Sequence, residues 1–258
     1  MNVHMNRFIV HDVAPNVTVR VTHAMPDLPP TLDSVVESLW RSAAARVEAG
    51  GAGRLFNGQV FSIDTIAPHA ITGHLTEFRR LVAQMENHDL FPDLGIRSLS
   101  VCGVLHCAGG IAIGRRPAAA IYQPGMWQCP PAGSVDSHAV GPDGTVDLAE
   151  QILRELDEEL GLEPHQVGRP VPICVVEHPG SHVSDCGMAM TTALSADAVH
   201  AAHRSRGNGE YAELRIVPPD GLAAFVAEAG DLLVPPAREY LFRLGLLPAG
   251  ITPANNPR

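Results

Sequence analysis

Two short apolar runs, residues 8–13 and 17–24, flank the turn signal Ala14-Pro15-Asn16 and predict a pair of strands. Pro29-Pro30 then opens a segment, 32–48, in which Val35, Val36, Leu39, Trp40 and Ala43 recur at helical spacing until Gly50-Gly51 stops it. Residues 55–66 and 70–75 predict two more strands, and 76–85 a helix. Pro92 and Gly95 make 88–95 a linker. Beyond it, 98–107 and 110–115 read as strands around Gly109-Gly110, and a Pro- and Gly-rich loop covers 123–144. The clearest helix spans 147–160. Strands at 171–177, 188–194 and 211–217 alternate with helices at 197–204, 221–228 and 237–244. Strands interleaved with helices at this spacing predict a layered α/β or α+β domain. The divisions expected are an α+β segment over 1–95, a main domain over 96–246, and a frayed tail over 247–258.

Length and charge narrow the partners. A chain of 258 residues can bury a core without disulfide or metal staples. Acidic residues outnumber Lys plus Arg by 28 to 18 with no run of basic residues, so nucleic acid and anionic membrane are poor partners. The opening stretch, Met1 to Arg7, lacks the apolar core of a signal peptide, and the longest apolar tract, 99–113, is interrupted by His106 and several glycines. Five cysteines without a CxxC pair predict free thiols, and with these features a cytoplasmic location.

The candidate chemistry lies on the 147–160 helix. Asp147 is an N-cap, with Glu150 placed to complete a capping box, and Gly161 is a natural stop. Leu148, Ile152, Leu153, Leu156 and Leu160 fall on one side. Glu155, Glu158 and Glu159, spaced i, i+3 and i+4, converge beside it. A solvated acidic face is one reading of three carboxylates so placed. A site for a hard divalent cation, which would relieve their repulsion, is the other.

Arg154-Glu155-Leu156-Asp157-Glu158-Glu159-Leu160-Gly161-Leu162 resembles the helical half of the Nudix box, R-E-U-x-E-E-x-G-U with U aliphatic, at every specified position. Trp127 to Gly133 is similar to the W-x-x-P-G-G approach found before the box in many members. The resemblance implies an α/β/α sandwich with a mixed sheet over 96–246. It also implies metal-dependent hydrolysis of phosphoanhydride bonds, with Glu155, Glu158 and Glu159 holding Mg²⁺, or Mn²⁺ as a substitute. Two positions depart from the pattern. The family's Gly and Glu, 14 and eight places before Arg154, are here Val140 and Val146. Taking Gly133 as the equivalent glycine implies a seven-residue insertion, placed at 138–144 as a surface loop. Asp136, Asp143 and Asp147 are the candidates to replace the missing carboxylate. Leu55-Phe56-Asn57-Gly58 and Leu75-Thr76-Glu77-Phe78 resemble, more faintly, the segment before the box in Nudix enzymes that cleave UDP-sugars. A simple turn flanked by strand core would look the same.

Arg115 and Arg116, at a strand end, are candidates to grip a phosphate. Gly133 and Arg154 complete the substrate-binding set, Arg154 more as a brace for the loop before the helix. Glu213 is a candidate base or further ligand. His178, His182 and Cys186 are spaced by four, but Pro179 and Gly180 break any helix that would align them on zinc.

The function expected is hydrolysis of a nucleoside diphosphate linked to another group X, giving a nucleoside monophosphate and phosphorylated X. A UDP-sugar-like compound is the first candidate, and a homodimer is allowed. The alternatives are hydrolysis of an isoprenoid diphosphate and a degenerate domain that binds a nucleotide without cleaving it.

Overall fold

A computed structural model describes residues 8–50, 54–120 and 122–248. The expectations for the first seven residues and for all but the first two of the tail fall outside them. Among these residues twelve strands and seven α-helices follow in chain order, beginning with β1 (Ile9–Asp12), β2 (Thr18–Val21), α1 (Pro30–Ala49), β3 (Gln59–Ala67), β4 (Ala70–Glu77), α2 (Phe78–Glu86) and α3 (Phe91–Leu94). Then come β5 (Leu99–Cys107), β6 (Gly110–Arg115), β7 (Trp127–Gln128), β8 (Ala132–Ser134), β9 (Thr145–Val146), α4 (Leu148–Leu160) and β10 (Val171–Glu177). The chain continues through β11 (Ser184–Thr191), α5 (Ala196–Arg206), β12 (Glu213–Val217), α6 (Leu222–Ala229) and α7 (Pro235–Arg243).

The main sheet is mixed and runs β1-β10-β11-β5-β6-β12, with β11 and β5 parallel. Side chains alternate across it. Leu99, Val101 and Leu105 of β5, with Cys186 and Met188 of β11, meet Ile152, Leu156 and Leu160 of α4. Cys102 and Val104 of β5, with Ile111 and Ile113 of β6, meet Leu222 and Val226 of α6 and Tyr240 of α7. Helices therefore cover both faces of one mixed sheet, the α/β/α layering expected. Ile152, Leu156 and Leu160 are completely buried, worth about 2 kcal/mol each.

The second sheet, β3-β4-β2-β9, lies over the α4 side of that core: Val19, Phe61, Ile63 and Ile71 join the cluster that holds Ile152 and Leu156. β1 belongs to the main sheet, against β10. The stretch 138–144 is no free surface loop. It forms a 3-10 turn, Ser137–Ala139, and a tight hairpin that carries Thr145–Val146 onto β2. Val146 is buried opposite Val19, so an aliphatic residue there serves the core.

β11 begins four residues earlier than its apolar pattern suggests. Ser184, Asp185 and Gly187 are polar or small, yet they lie centrally between β10 and β5, where Gly187 leaves room for the Tyr240 ring. Elsewhere the elements fall close to their expected positions, except that β3 begins at Gln59 rather than at 55, the expected 123–144 loop contains β7 and β8, and 88–95 forms a short 3-10 turn and α3 where a plain linker is expected.

Candidate active site

The hairpin β5–β6 holds together only at its turn, His106↔Ile111 and Cys107↔Gly110. Farther along, β5 pairs with β8 and β6 with β7, so the sheet parts. A cavity of about 950 Å³ is lined by Cys102, Gln128 and Gly133 from these strands. Glu155 and Glu159 of α4 form another part of its wall, as do Asp185 of β11 and Val60, Phe78 and Leu81 from the N-terminal segment.

α4 is fixed at both ends. Asp147 Oδ1 accepts from the amides of Ala149 and Glu150 at 2.9 and 3.0 Å. The return half of the capping box is already replaced, because Asp147 N donates to Ala139 O. Gly161, at φ +67°, ends the helix in the left-handed region and packs against Ala202 and Arg206 of α5, where a Cβ would have no room.

Glu159 is buried. Its Oε2 accepts from Ala132 N at 2.9 Å and from Tyr211 Oη at 3.1 Å, and Tyr211 in turn accepts from Gln128 at 2.8 Å. Burial pushes the Glu159 carboxyl well up, and the nearby Glu155 charge adds to this. Glu155 Oε1 accepts from Gln151 at 2.6 Å. Its carboxyl is raised to about 7, chiefly by burial, with Glu158 and Asp136 contributing. Each of the two therefore keeps one carboxylate oxygen outside these bonds. Gly133 makes the approach possible: a Cβ there would lie 2.2 Å from the Glu155 carboxyl.

Glu158, one position before Glu159, is exposed and off the cavity wall. Arg154 also lies off the wall and braces the preceding loop, donating at 2.8 Å to both Asp136 and Gln151. Of the three carboxylates that could replace the one absent at Val146, only Asp136 reaches the cavity. Asp143 binds Thr145 on the surface, and Asp147 caps α4.

Strand alternation separates the remaining candidates. Arg115 and Glu213 share the face covered by α6, away from α4. Arg115 lies 5.7 Å from the Trp127 ring centre, and Glu213 pairs with Arg215 at 2.7 Å. Neither lines the cavity, whereas their neighbours Arg116 and Glu210 do, paired with each other at 2.8 Å. The Arg116 Nε is buried and has no hydrogen-bond partner among the described residues. Asp185 belongs to the wall as well, raised to about 6 by burial. Its polar surroundings in sequence give no strand signal, and no motif marks it.

The cavity wall thus carries five carboxylates, from Asp136, Glu155, Glu159, Asp185 and Glu210, against the guanidinium of Arg116. Their hard oxygens are of the kind that suits a divalent cation, although among the described residues no three of them bring ligand atoms within 4.8 Å of one another. The two N-terminal stretches singled out in sequence meet here: Asn57 Nδ2 donates to Glu77 at 3.2 Å, and Phe78 N to Gly58 O at 2.8 Å. Phe56, 82% exposed, and Phe78 line the mouth. His178, by contrast, accepts from the amides of Gly180 and Ser181, His182 stacks on Phe91, and Cys186 is buried in the core, so these three form no zinc site. All five cysteines are free and buried. Among the described residues no helix is long and apolar enough to cross a membrane.

No family model matches this chain, and no curated protein does. Solved structures similar to part of it include a Nudix hydrolase from M. smegmatis, RenU, at 24% identity and TM-score 0.40, covering 62% of this chain and 91% of that one. A C. elegans Ap4A hydrolase is similar at 19% identity and TM-score 0.36, covering 57% of this chain and 98% of that one. Likenesses of this size concern part of the chain, and the reading of the site stands on its own residues.

Proposed function

We propose that the protein is a Nudix-type hydrolase that cleaves a nucleoside diphosphate joined to another group. The observation that carries this is the convergence of Glu155 and Glu159, each with an uncommitted oxygen, on a cavity whose wall also offers Arg116. Glu155 and Glu159 would hold Mg²⁺ or Mn²⁺, with Glu158 beside them on the solvent side of α4 and Asp136 close to Glu155. A bound cation would supply neutralisation of the diphosphate and a more acidic water.

The protein's own groups account for the rest. Arg116, whose guanidinium lies on the cavity wall beside Glu210, binds a phosphate oxygen and orients the diphosphate. Water forms a bond to one phosphorus as the bridging P–O bond on that phosphorus breaks, giving a nucleoside monophosphate and phosphorylated X. Asp185, with its carboxyl raised to about 6, is suited to take the water's proton near neutral pH, the task expected at Glu213. Exposed Phe56 offers an aromatic surface on which a base can stack, beside Phe78, which lines the cavity in T-shaped contact with Trp40. Phe56 and Phe78 come from the two short stretches that resemble the UDP-sugar-cleaving members, which favours a UDP-sugar-like substrate over an isoprenoid diphosphate.

The test compares UDP-glucose, ADP-ribose and a prenyl diphosphate at equal concentration with Mg²⁺. Release of a nucleoside monophosphate is expected, with turnover lost by about two orders of magnitude or more in Glu155→Gln and Glu159→Gln. Cleavage of the prenyl compound alone would refute the nucleotide reading. No turnover with any of the three, despite nucleotide binding, would favour the non-catalytic alternative.

A further inference from the structure

A second cluster lies on the N-terminal sheet, built from residues that the proposed hydrolysis does not use. Three neighbouring strands bring it together. Asp64 stands at the irregularity of β3, where the register with β4 shifts between Ile63 and Thr65. His74 lies on β4, and His23 follows the end of β2, the strand on the other side of β4. His23 Nε2 is 2.8 Å from Asp64 Oδ2, and His74 Nδ1 is 3.0 Å from Asp64 Oδ1. One atom from each residue lies within 4.8 Å of the others, and the two rings are 4.7 Å apart.

We propose that His23, Asp64 and His74 form a binding site for a borderline divalent metal ion, with Zn²⁺ the ion that fits best. It is independent of the glutamate helix and of the hydrolytic reading.

Chemistry and orientation both support this. Two imidazoles and one carboxylate are a donor set that selects a borderline metal over Mg²⁺. His23 Nδ1 lies 2.8 Å from the Ala24 carbonyl, which can only accept, so that nitrogen carries the hydrogen and Nε2 faces the site. A ligating histidine held from behind by a backbone carbonyl is the usual arrangement around metals. Ligand atoms around tetrahedral zinc stand about 3.3 Å apart, given bonds of about 2.0–2.1 Å. His23 approaches Asp64 Oδ2 at 2.8 Å and His74 approaches Oδ1 at 3.0 Å, so with either oxygen as ligand one histidine already stands within a few tenths of an ångström of that spacing, and the other, within 4.8 Å, has to close on it. His74 is buried, whereas His23 and Asp64 are exposed, which leaves the fourth position to water. The neighbouring cation, Arg80, is committed to Glu77 and to the Pro26 carbonyl. That second bond ties down the segment that carries His23. A bound ion would add a second tie between this segment and the sheet, just ahead of α1.

The experiment uses the full chain, stripped with a chelator and then equilibrated with Zn²⁺ in excess Mg²⁺. Bound zinc per chain is measured after dialysis, and Co²⁺ replaces zinc for a visible spectrum. The expected result is one zinc lost and the tetrahedral Co²⁺ absorption abolished in His23→Ala and Asp64→Asn. The Glu155→Gln Glu159→Gln double variant should keep both, and Mg²⁺-dependent hydrolysis should survive in the first two. His74→Ala should behave alike, but the two exposed positions decide the matter should that variant fold poorly. Failure of the parent to retain zinc, or equal retention in His23→Ala and Asp64→Asn, would overturn the proposal. Loss of zinc in the glutamate variant alone would overturn it too, while leaving the hydrolytic reading intact.

Discussion

Replacing Glu155 with Gln should stabilise the metal-free protein at alkaline pH and leave it unchanged at acid pH. Burial, reinforced by Glu158 and Asp136, moves the Glu155 carboxyl from an ordinary 4.5 to about 7. An acid with a raised folded pKa binds its proton more tightly in the folded state, so stability falls as pH rises through that interval and levels off above it. Moving from 4.5 to about 7 corresponds to about 3 kcal/mol. The side chain is only partly shielded from solvent, so screening brings the expected effect to about 1–3 kcal/mol. The introduced amide oxygen still accepts from Gln151 Nε2, so packing is little changed. Urea unfolding with EDTA at about pH 3.5 and about pH 8 reads the difference. The two proteins should match at the lower pH, and the variant should exceed the parent by about 1–3 kcal/mol at the higher. Mg²⁺ at the higher pH should narrow the gap, because it binds the folded parent. A gap of the same size at both pH values would refute the argument, since it would then owe nothing to titration.

Gly133→Ala should lower turnover about 100-fold while thermal unfolding moves by no more than a few degrees, because the new Cβ, 2.2 Å from the Glu155 carboxyl, displaces a flexible side-chain end rather than backbone. Unchanged kcat would remove Glu155 from the chemistry. Val146→Glu restores the carboxylate of the Nudix pattern but buries it opposite Val19. Destabilisation of about 3 kcal/mol or more without a gain in turnover is expected, as judged by urea unfolding and product release. A normally stable variant with higher turnover would show that the position faces the site after all.

The α4 helix was legible because three local signals agree on it: the Asp147 cap, the leucine spacing and the Gly161 stop. Its contacts confirm each of them. β6 and β10 were equally clear, as continuous apolar runs bounded by Gly or Pro. What escaped depends on partners far away in the chain. Asp185 is in a strand because β10 and β5 flank it, and no propensity of Ser184 or Gly187 points there. Arg115 and Arg116 are indistinguishable in sequence, yet one faces Trp127 and the other the cavity, since neighbouring strand residues point to opposite sides. Glu210 lies in the bend ahead of β12, three residues before Glu213, and no local pattern marks it as the one on the cavity wall. The 138–144 segment has the composition of a surface loop, and only its pairing with β2 reveals that it carries part of a sheet.

The placement of β1 has a consequence for the order of assembly during synthesis. His11 meets Glu177 although 166 residues separate them, and among the described residues β1 has β10 as its only neighbour in the sheet. At ribosomal rates of about 5–20 residues per second, the first strand waits on the order of ten to thirty seconds for its partner to be made. Throughout that interval Ile9 and Val10 have no sheet to join. The β1 edge of the main sheet can therefore form only after α4 has been made, while Asp185 and Glu210 of the cavity wall are made later still.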